Sequence, residues 1–255
     1  LACILPPYVA EKIVQNGTPA QKAWAQKTIL ESGKLRGLRA AAADMTARGE
    51  RLGAPARDCT VYDAQGGTDL PGVRVRGEGD PPYNDPNLPD VDEAFDGAVA
   101  TFDFYKTHYN RNSIDDRGLP LVSTVNYGLN YENAFWDGTQ MAYGRGHESL
   151  PPDERLFNRF TIDLSVIGHE LTHGVVQYEA GLVYFQQAGA LNESWADVFG
   201  SLVRHWSLNQ TVTEADWIIG KGLFSSNVNG VGIRSMKAPG TAYNDPVIGK
   251  DPQPG

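Results

Sequence analysis

The fold is decided by Val166-Ile167-Gly168-His169-Glu170-Leu171-Thr172-His173-Gly174. On a helix, residues four apart share a face. His169 and His173 can therefore aim both imidazoles at one metal ion. Glu170 sits one residue further round, placed to reach a metal-bound water rather than the metal. Zinc takes histidine nitrogens readily, and three protein ligands leave a fourth position open for water. It also lowers the pKa of that water, so a nearby carboxylate can accept the proton. A surface helix with two idle histidines is the alternative. Ile162, Val166, Ile167, Leu171, Val175 and Val176 argue against it, because they make the helix largely buried. Two buried histidines and a buried glutamate without a task are costly.

A third ligand follows twenty residues after His173, in Asn192-Glu193-Ser194-Trp195-Ala196-Asp197. Glu193 and Asp197 are again four apart on a helical stretch. Glu193 can complete a His2Glu zinc site, and Asp197 can accept the second ring N–H of a ligand histidine.

Working outward, residues 9–16 and about 18–32 read as helices, separated by Gly17 and opened by the capping box Thr18-Pro19-Ala20-Gln21. Residues 33–58, rich in Gly, Ala and Arg, read as a linker or a weakly packed helix. Thr60–Asp63 and Val73–Val75 read as short strands. Residues 91–109 have apolar residues at helical spacing. Residues 120–127 and 133–143 are strand-like, with Asp137-Gly138 as a two-residue hairpin turn. Two long helices, about 160–179 and 191–206, carry the candidate metal ligands.

Composition is that of an ordinary globular protein: 255 residues, 41% hydrophobic and 21% charged. The net charge of −9 argues against a nucleic-acid partner. No apolar run is long enough to span a membrane. Cys3 and Cys59 allow at most one disulfide. The charge is uneven. Residues 1–60 hold nine Lys+Arg against five Asp+Glu, a net +4, which leaves −13 for the rest. No signal peptide is visible, since Pro6-Pro7 interrupts the apolar start.

Beyond the metal motif, Ala180-Gly181-Leu182-Val183-Tyr184, Gly189-Ala190-Leu191-Asn192-Glu193-Ser194, Asn133-Ala134-Phe135-Trp136 and Arg234-Ser235-Met236 occur in one order. With HELTH at residues 169–173 this resembles the thermolysin-like neutral metallopeptidases. Residues 1–50, with Pro6-Pro7-Tyr8, resemble the short propeptide of the protealysin branch. The resemblance implies an α+β fold: a thermolysin-like N-terminal domain with a twisted, mostly antiparallel sheet and a long central zinc-binding helix, preceded by a helical propeptide. The division is residues 1–52 for the propeptide and linker, and 53–255 for the catalytic domain. It implies His169, His173 and Glu193 as ligands of one zinc ion, with Glu170 as general base and Tyr184 and Arg234 stabilising negative charge. Asn133 and Ala134 match the edge that binds substrate backbone by strand addition. Val166, Ile219, Leu223 and Ile233 match the wall of a pocket for a bulky apolar residue just after the cleaved bond.

Two departures from the family stand out. The positions of its paired calcium site hold Ser165, Arg204, Asp216 and Lys221, too few oxygen ligands for calcium. The paired site is expected to be absent, with an Arg204–Asp216–Lys221 charge cluster in its place. The helical C-terminal domain is also expected to be absent from this chain and supplied by a separate polypeptide. His108, His147 and His205 do not match the histidine that domain contributes. The lone fragment is then expected to be inactive.

The head reads as an inhibitor. Its positive charge favours docking on the acidic body, and Pro6-Pro7-Tyr8 is stiff enough to lie in a cleft. Arg36, Arg39, Arg48, Arg51 and Arg57 are candidate removal sites. Cys3 is a candidate thiolate cap on the zinc, against the plainer reading of a packed apolar cysteine. The expected function is a zinc endopeptidase in proenzyme form, acting on peptides or proteins, with its own propeptide as inhibitor. One rival is a catalytically silent binding or regulatory protein on the same scaffold. Another is a structural zinc domain. Glu170 speaks against the first and an open ligand position against the second.

Overall fold

The structure is a computed structural model that describes residues 4–45 and 57–253. Two helices come first, α1 (Pro7–Asn16) and α2 (Pro19–Met45). Pro7 opens α1, where its missing N–H costs nothing. The capping box forms as read: Thr18 N donates to Gln21 Oε1 (2.8 Å) and Gln21 N to Thr18 Oγ1 (3.3 Å). Helix α2 continues thirteen residues past the expected end at Ser32. Of the two readings of residues 33–58, the helical one holds as far as Met45, where alanine, leucine, lysine and arginine are all strong helix formers.

The body follows as β1 (Cys59–Asp63), β2 (Val73–Gly77), α3 (Asp90–Tyr109), β3 (Leu121–Val125), β4 (Ala134–Trp136), β5 (Met141–Tyr143), α4 (Leu164–Glu179) and α5 (Gln186–Ser207). Strands β6 (Ile218–Ile219) and β7 (Arg234–Ser235) pair beyond them. The main sheet has the order β2-β1-β3-β5-β4. Here the expectation of a mostly antiparallel sheet is corrected. Pairs β1–β2 and β4–β5 are antiparallel, but β1–β3 and β3–β5 are parallel. Helix α3 carries the chain back between β2 and β3, so β3 enters beside β1 in the same direction. The turn after β4 also differs from the reading. Trp136 pairs with Met141, which leaves the four residues Asp137–Gln140 in the loop. The Asp137 side chain accepts from the backbone of Thr139 and Gln140 and holds the loop closed.

Helix α4 is the buried centre. Asp163 caps it by accepting from Ser165 N (2.8 Å). Of its sixteen residues, eleven are buried, including the whole run Ser165–Gly174. Helices α4 and α5 run antiparallel, and they cross where both backbones lack a side chain. A Cβ on Gly168 would lie 3.1 Å from Gly200 Cα, and a Cβ on Gly200 would lie 2.5 Å from Ser165 O. This close approach lets residues 192–197 reach the imidazoles of α4. Strand β4 forms the free edge of the sheet on the other side of the same helix. Among the described residues, no helix is long and apolar enough to cross a membrane.

Candidate active site

His169 and His173 are buried on one face of α4, with their Nε2 atoms 3.0 Å apart. The tautomers follow from their other nitrogens. His173 Nδ1 lies 2.9 Å from Asn192 Oδ1, and the Asn192 amide nitrogen donates to Leu182 O (3.1 Å). The Asn192 oxygen can therefore only accept, so the His173 proton is on Nδ1. His169 Nδ1 lies 2.8 Å from Asp197 Oδ1, which is acceptor-only in the same way. When both rings are neutral, their Nε2 lone pairs face one point.

Two carboxylates compete to be the third donor. Glu170 joins the two histidines in a cluster whose ligand atoms lie within 4.8 Å of one another. Yet both Glu170 oxygens accept backbone N–H groups, Oε1 from Ile4 (2.8 Å) and Oε2 from Trp136 (3.0 Å). Glu193 lies 3.5 Å from His169 Nε2 and 3.7 Å from His173 Nε2. Its Oε1 is buried and makes no hydrogen bond. An orphaned buried carboxylate oxygen beside two imidazole lone pairs fits a divalent cation, and two nitrogens with one oxygen suit zinc. Tetrahedral zinc with bonds of about 2.0–2.1 Å holds two nitrogens about 3.3 Å apart, close to the separation found.

Asp197 does more than the spacing foretold. It accepts from His169 and also grips Arg234, with Nε and one terminal nitrogen each 2.7 Å from its two oxygens. Burial opposes its charge, but Arg234 and His169 outweigh burial and hold its pKa well below the carboxylate range. Burial likewise opposes charge on His169, and Asp197 with Glu193 outweighs it, holding the ring's pKa up at about 9.

The remaining expected residues divide into two groups. Asn133, at the foot of β4, clasps Leu5 at both backbone groups, accepting from its N–H (3.0 Å) and donating to its carbonyl (3.4 Å). Ala134 opens the free edge strand next to it. Val166, Ile219, Leu223 and Ile233 are buried in one apolar cluster with Ile4 and Leu5. Tyr184 stands at the rim, its ring centroid 5.7 Å from that of His173 and its hydroxyl 3.4 Å from Asn192 Oδ1. Its phenol is thus directed at the residue that orients a ligand histidine.

The head enters the site, though not through the residues expected. Pro6 caps α1 and Pro7 and Tyr8 are already helical, so the stiff extended plug is not Pro-Pro-Tyr. Those three residues line the rim of a 580 Å³ cavity with Glu193, Asp197 and Arg234. Tyr8 is tied to Tyr243 through their hydroxyls (3.3 Å). The buried residues in the cleft are Ile4 and Leu5, and Ile4 O accepts from Arg234 (3.0 Å). The sequence signal was an apolar pair just ahead of a helix-opening proline. Cys3 lies outside the described residues, as do Arg48 and Arg51. Arg57 is held in place by Glu78 (2.7 Å) and Asp103 (3.0 Å).

The catalytic-domain model of the thermolysin metallopeptidases matches residues 42–177. The chain belongs to the thermolysin metallopeptidase family. The model for the alpha-helical domain of this family matches residues 180–253. An extracellular metalloprotease of Pectobacterium carotovorum is 45% identical over 254 residues, which are 100% of this chain and 70% of the relative. Protease PrtS of a Photorhabdus strain is 44% identical, over 99% of this chain and 66% of its own length. The solved precursor of protealysin, a metalloproteinase from Serratia proteamaculans, aligns with a TM-score of 0.84 at 45% identity, over 100% of this chain and 71% of that one.

The matches overturn two expectations. The helical-domain model matches residues 180–253 of this chain, which overturns both the expected absence of that domain and its expected supply by a separate polypeptide. The family boundary falls between residues 177 and 180, at the C-terminal end of α4, not near residue 255. His169 and His173 lie on one side of that boundary and Glu193 on the other. An unbroken run of site residues hid it in the sequence. The expected inactivity of the chain rested on the missing domain and falls with it. Membership of the thermolysin metallopeptidase family implies zinc.

Proposed function

We propose that this chain is a zinc endopeptidase in proenzyme form, with residues 1–52 as its inhibitory prosegment and 53–255 as the catalytic body. The observation that carries the reading is the convergence of His169, His173 and Glu193 around a point beside Glu170, with backbone of the chain's own head lying across Glu170. His169, His173 and Glu193 would hold the zinc, which when bound polarises a scissile carbonyl and acidifies water. Glu170 takes the water proton and passes it to the leaving amine. Trp136 N holds Glu170 Oε2 and leaves Oε1 to face the scissile amide. Arg234, oriented by Asp197, donates to the carbonyl one residue beyond the cut, as it does to Ile4 O. Asn133 aligns the next residue through both its backbone groups. Tyr184 at the rim supports the developing oxyanion.

The apolar pocket of Val166, Ile219, Leu223 and Ile233 favours a bulky hydrophobic residue after the scissile bond, and Ile4 in the same cluster supports this. Zinc is the one metal ion needed; the paired calcium site is absent, its segments being held by Arg204, Asp216 and Lys221. Ile4 and Leu5 occupy the substrate's place, so hydrolysis of other proteins requires the head to leave. Casein digestion tests the reading, using the zinc-loaded chain, an Ile4→Asp/Leu5→Asp variant and a Glu170→Gln variant. The head variant digests faster than the parent, chelator abolishes the activity and zinc restores it. A head variant that binds zinc but digests nothing would favour the catalytically silent scaffold instead.

A further inference from the structure

Trp136 grips helix α4 at three points. Its backbone N donates to Glu170 Oε2 (3.0 Å), and its indole Nε1 donates to Gln177 Oε1 (3.1 Å). Its ring lies against Gly174, where an added Cβ would fall 3.2 Å from two ring carbons. Gly174 and Gln177 follow Glu170 by four and seven residues, which puts all three on one stripe of the helix. The Gln177 amide can satisfy its neighbours in one orientation only. An indole N–H only donates and a carbonyl only accepts. The amide oxygen therefore meets Trp136, and the amide nitrogen donates to Gly138 O (3.1 Å) in the loop 137–140. Gln177 thus ties both the end of β4 and the loop after it to the helix that carries Glu170.

Strand β4 needs such a tie, because it pairs with β5 on one side and its other edge is free. Its two ends are fixed by different means. At the Asn133 end, Asn133 O accepts from Gly144 N (2.9 Å), a bond that does not involve Gln177. At the Trp136 end, pairing with Met141 is joined by the indole–amide bond to α4. The indole is one rigid plane, so a hold on its N–H and on its face fixes the backbone of residue 136. Ile4 N also donates to Glu170 (2.8 Å), but it belongs to the head and departs with it. The Trp136 bond belongs to the body and stays.

We infer that Gln177 is a positioning residue of the peptidase reaction: through Trp136 it holds in place the N–H that orients the Glu170 carboxylate. The inference rests on the peptidase reading above. Its consequence is a split between chemistry and binding. Asn133 and Arg234 hold substrate backbone, and their own supports, Gly144 and Asp197, are independent of Gln177. Loosening Gln177 therefore lowers kcat and leaves KM nearly unchanged, the pattern of an interaction used in the transition state.

Two measurements test this. The first is amide hydrogen exchange at Trp136, followed by NMR in the zinc-free full chain. Gln177→Met keeps the side chain's length and removes both hydrogen bonds. It is expected to speed exchange at Trp136 about tenfold or more, with the amides of β3 unchanged. The second is steady-state cleavage of a fluorogenic peptide with leucine after the scissile bond, by the zinc-loaded Ile4→Asp/Leu5→Asp chain. Adding Gln177→Met lowers kcat about tenfold, part of the roughly 10²–10⁴-fold that a positioned base supplies, with KM within about twofold. Gln177→Glu keeps the acceptor for the indole and recovers part of that loss. In a Trp136→Phe background, Gln177→Met costs no more than about twofold, because its partner is gone. Unchanged exchange overturns the inference, and so does faster exchange with kcat unchanged, since the bond is then a structural tie only. A KM that rises in step with the fall in kcat overturns it as well, as does a Gln177→Glu chain no better than Gln177→Met. In each of these cases an active Ile4→Asp/Leu5→Asp parent leaves the peptidase reading standing. A parent that binds zinc and cleaves nothing overturns both.

Discussion

Asp197 meets Arg234 with both carboxylate oxygens, 2.7 Å each, while one of them also accepts from His169 Nδ1 at 2.8 Å. One side chain thus fixes the His169 ring of the proposed metal site and the Arg234 guanidinium that holds the Ile4 carbonyl. Asp197→Asn keeps the shape but can satisfy only part of this. Zinc affinity, read by chelator competition, is expected to fall about 10–100-fold. KM for peptide substrates should rise as well, because Arg234 loses its bidentate partner. A variant that loses zinc affinity with KM unchanged would show that the arginine is oriented from elsewhere.

Glu132 and His147 form a fully buried contact beside Asn133. His147 Nδ1 accepts from Leu156 N (3.1 Å), so the ring is neutral with its proton on Nε2, facing Glu132. Burial holds the His147 pKa down at about 4 and pushes that of Glu132 well above the ordinary range. The two act in opposite directions. Folded His147 stays neutral where the unfolded ring charges, so its contribution is present above about pH 6.5 and is lost as pH falls toward 4. Folded Glu132 stays protonated where the unfolded chain ionises, so its contribution is present below about pH 4.5 and is lost as pH rises. Glu132→Gln removes only the second effect. It should match the parent near pH 4 and gain on it by about 1.4 kcal/mol per pH unit above 4.5, until Glu132 ionises in the fold. Urea titrations at several pH values measure this. Parallel stability curves would mean that Glu132 is already ionised.

The proposed zinc constellation was legible because it depends on local geometry. The spacings His169–His173 and Glu193–Asp197 follow from the helical repeat alone, and the helices formed where apolar periodicity put them. What spacing could not show was distant pairing. Arg234 reaches Asp197 only because β7 pairs with β6 below α5, and no pattern within either segment encodes that. The parallel entry of β3 beside β1 depends on where α3 returns the chain. Asn192 was quoted only as part of a motif, yet it sets the His173 tautomer. Ile4 and Leu5 went unnoticed for another reason: a buried apolar pair reads alike whether it fills a core or a cleft. The expected Pro-Pro-Tyr plug failed on local chemistry, because proline suits the first turn of a helix as well as an extended strand.

Gly168 and Gly200 set how closely α4 and α5 approach, and Glu193 stands two turns from that crossing. A methyl on Gly200 would fall 2.5 Å from Ser165 O and 2.8 Å from His169 N, both rigid backbone. The helices must then separate. Gly200→Ala is expected to cost about 1–3 kcal/mol by overpacking. It should also weaken zinc binding, as the Glu193 carboxylate is drawn off the imidazoles. Thermal unfolding with and without zinc separates the two effects. A zinc-induced stabilisation equal to the parent's would show that Glu193 does not move with the crossing.

Arg204 bridges two segments through Asp216 and Asp163. Its guanidinium bonds both oxygens of Asp216 (2.7 and 3.2 Å), and its Nε lies 3.1 Å from Asp163, the cap of α4. Lys221 adds a contact to Asp216 (2.8 Å), and Gly220 N donates to Ser165 Oγ (2.9 Å). Burial alone would raise the pKa of Asp216, but Arg204 and Lys221 hold it far below the usual range. The loop 211–221 and helices α4 and α5 are therefore pinned by fixed charge. Arg204→Met leaves Asp163 buried without its cation and should cost about 3–5 kcal/mol. In the parent, neither calcium nor a calcium-selective chelator should move the unfolding temperature, since Arg204 and Lys221 repel a divalent ion from this position. A calcium-dependent rise in Tm that disappears in Asp216→Asn would place an ion among these residues and remove the fixed-charge explanation.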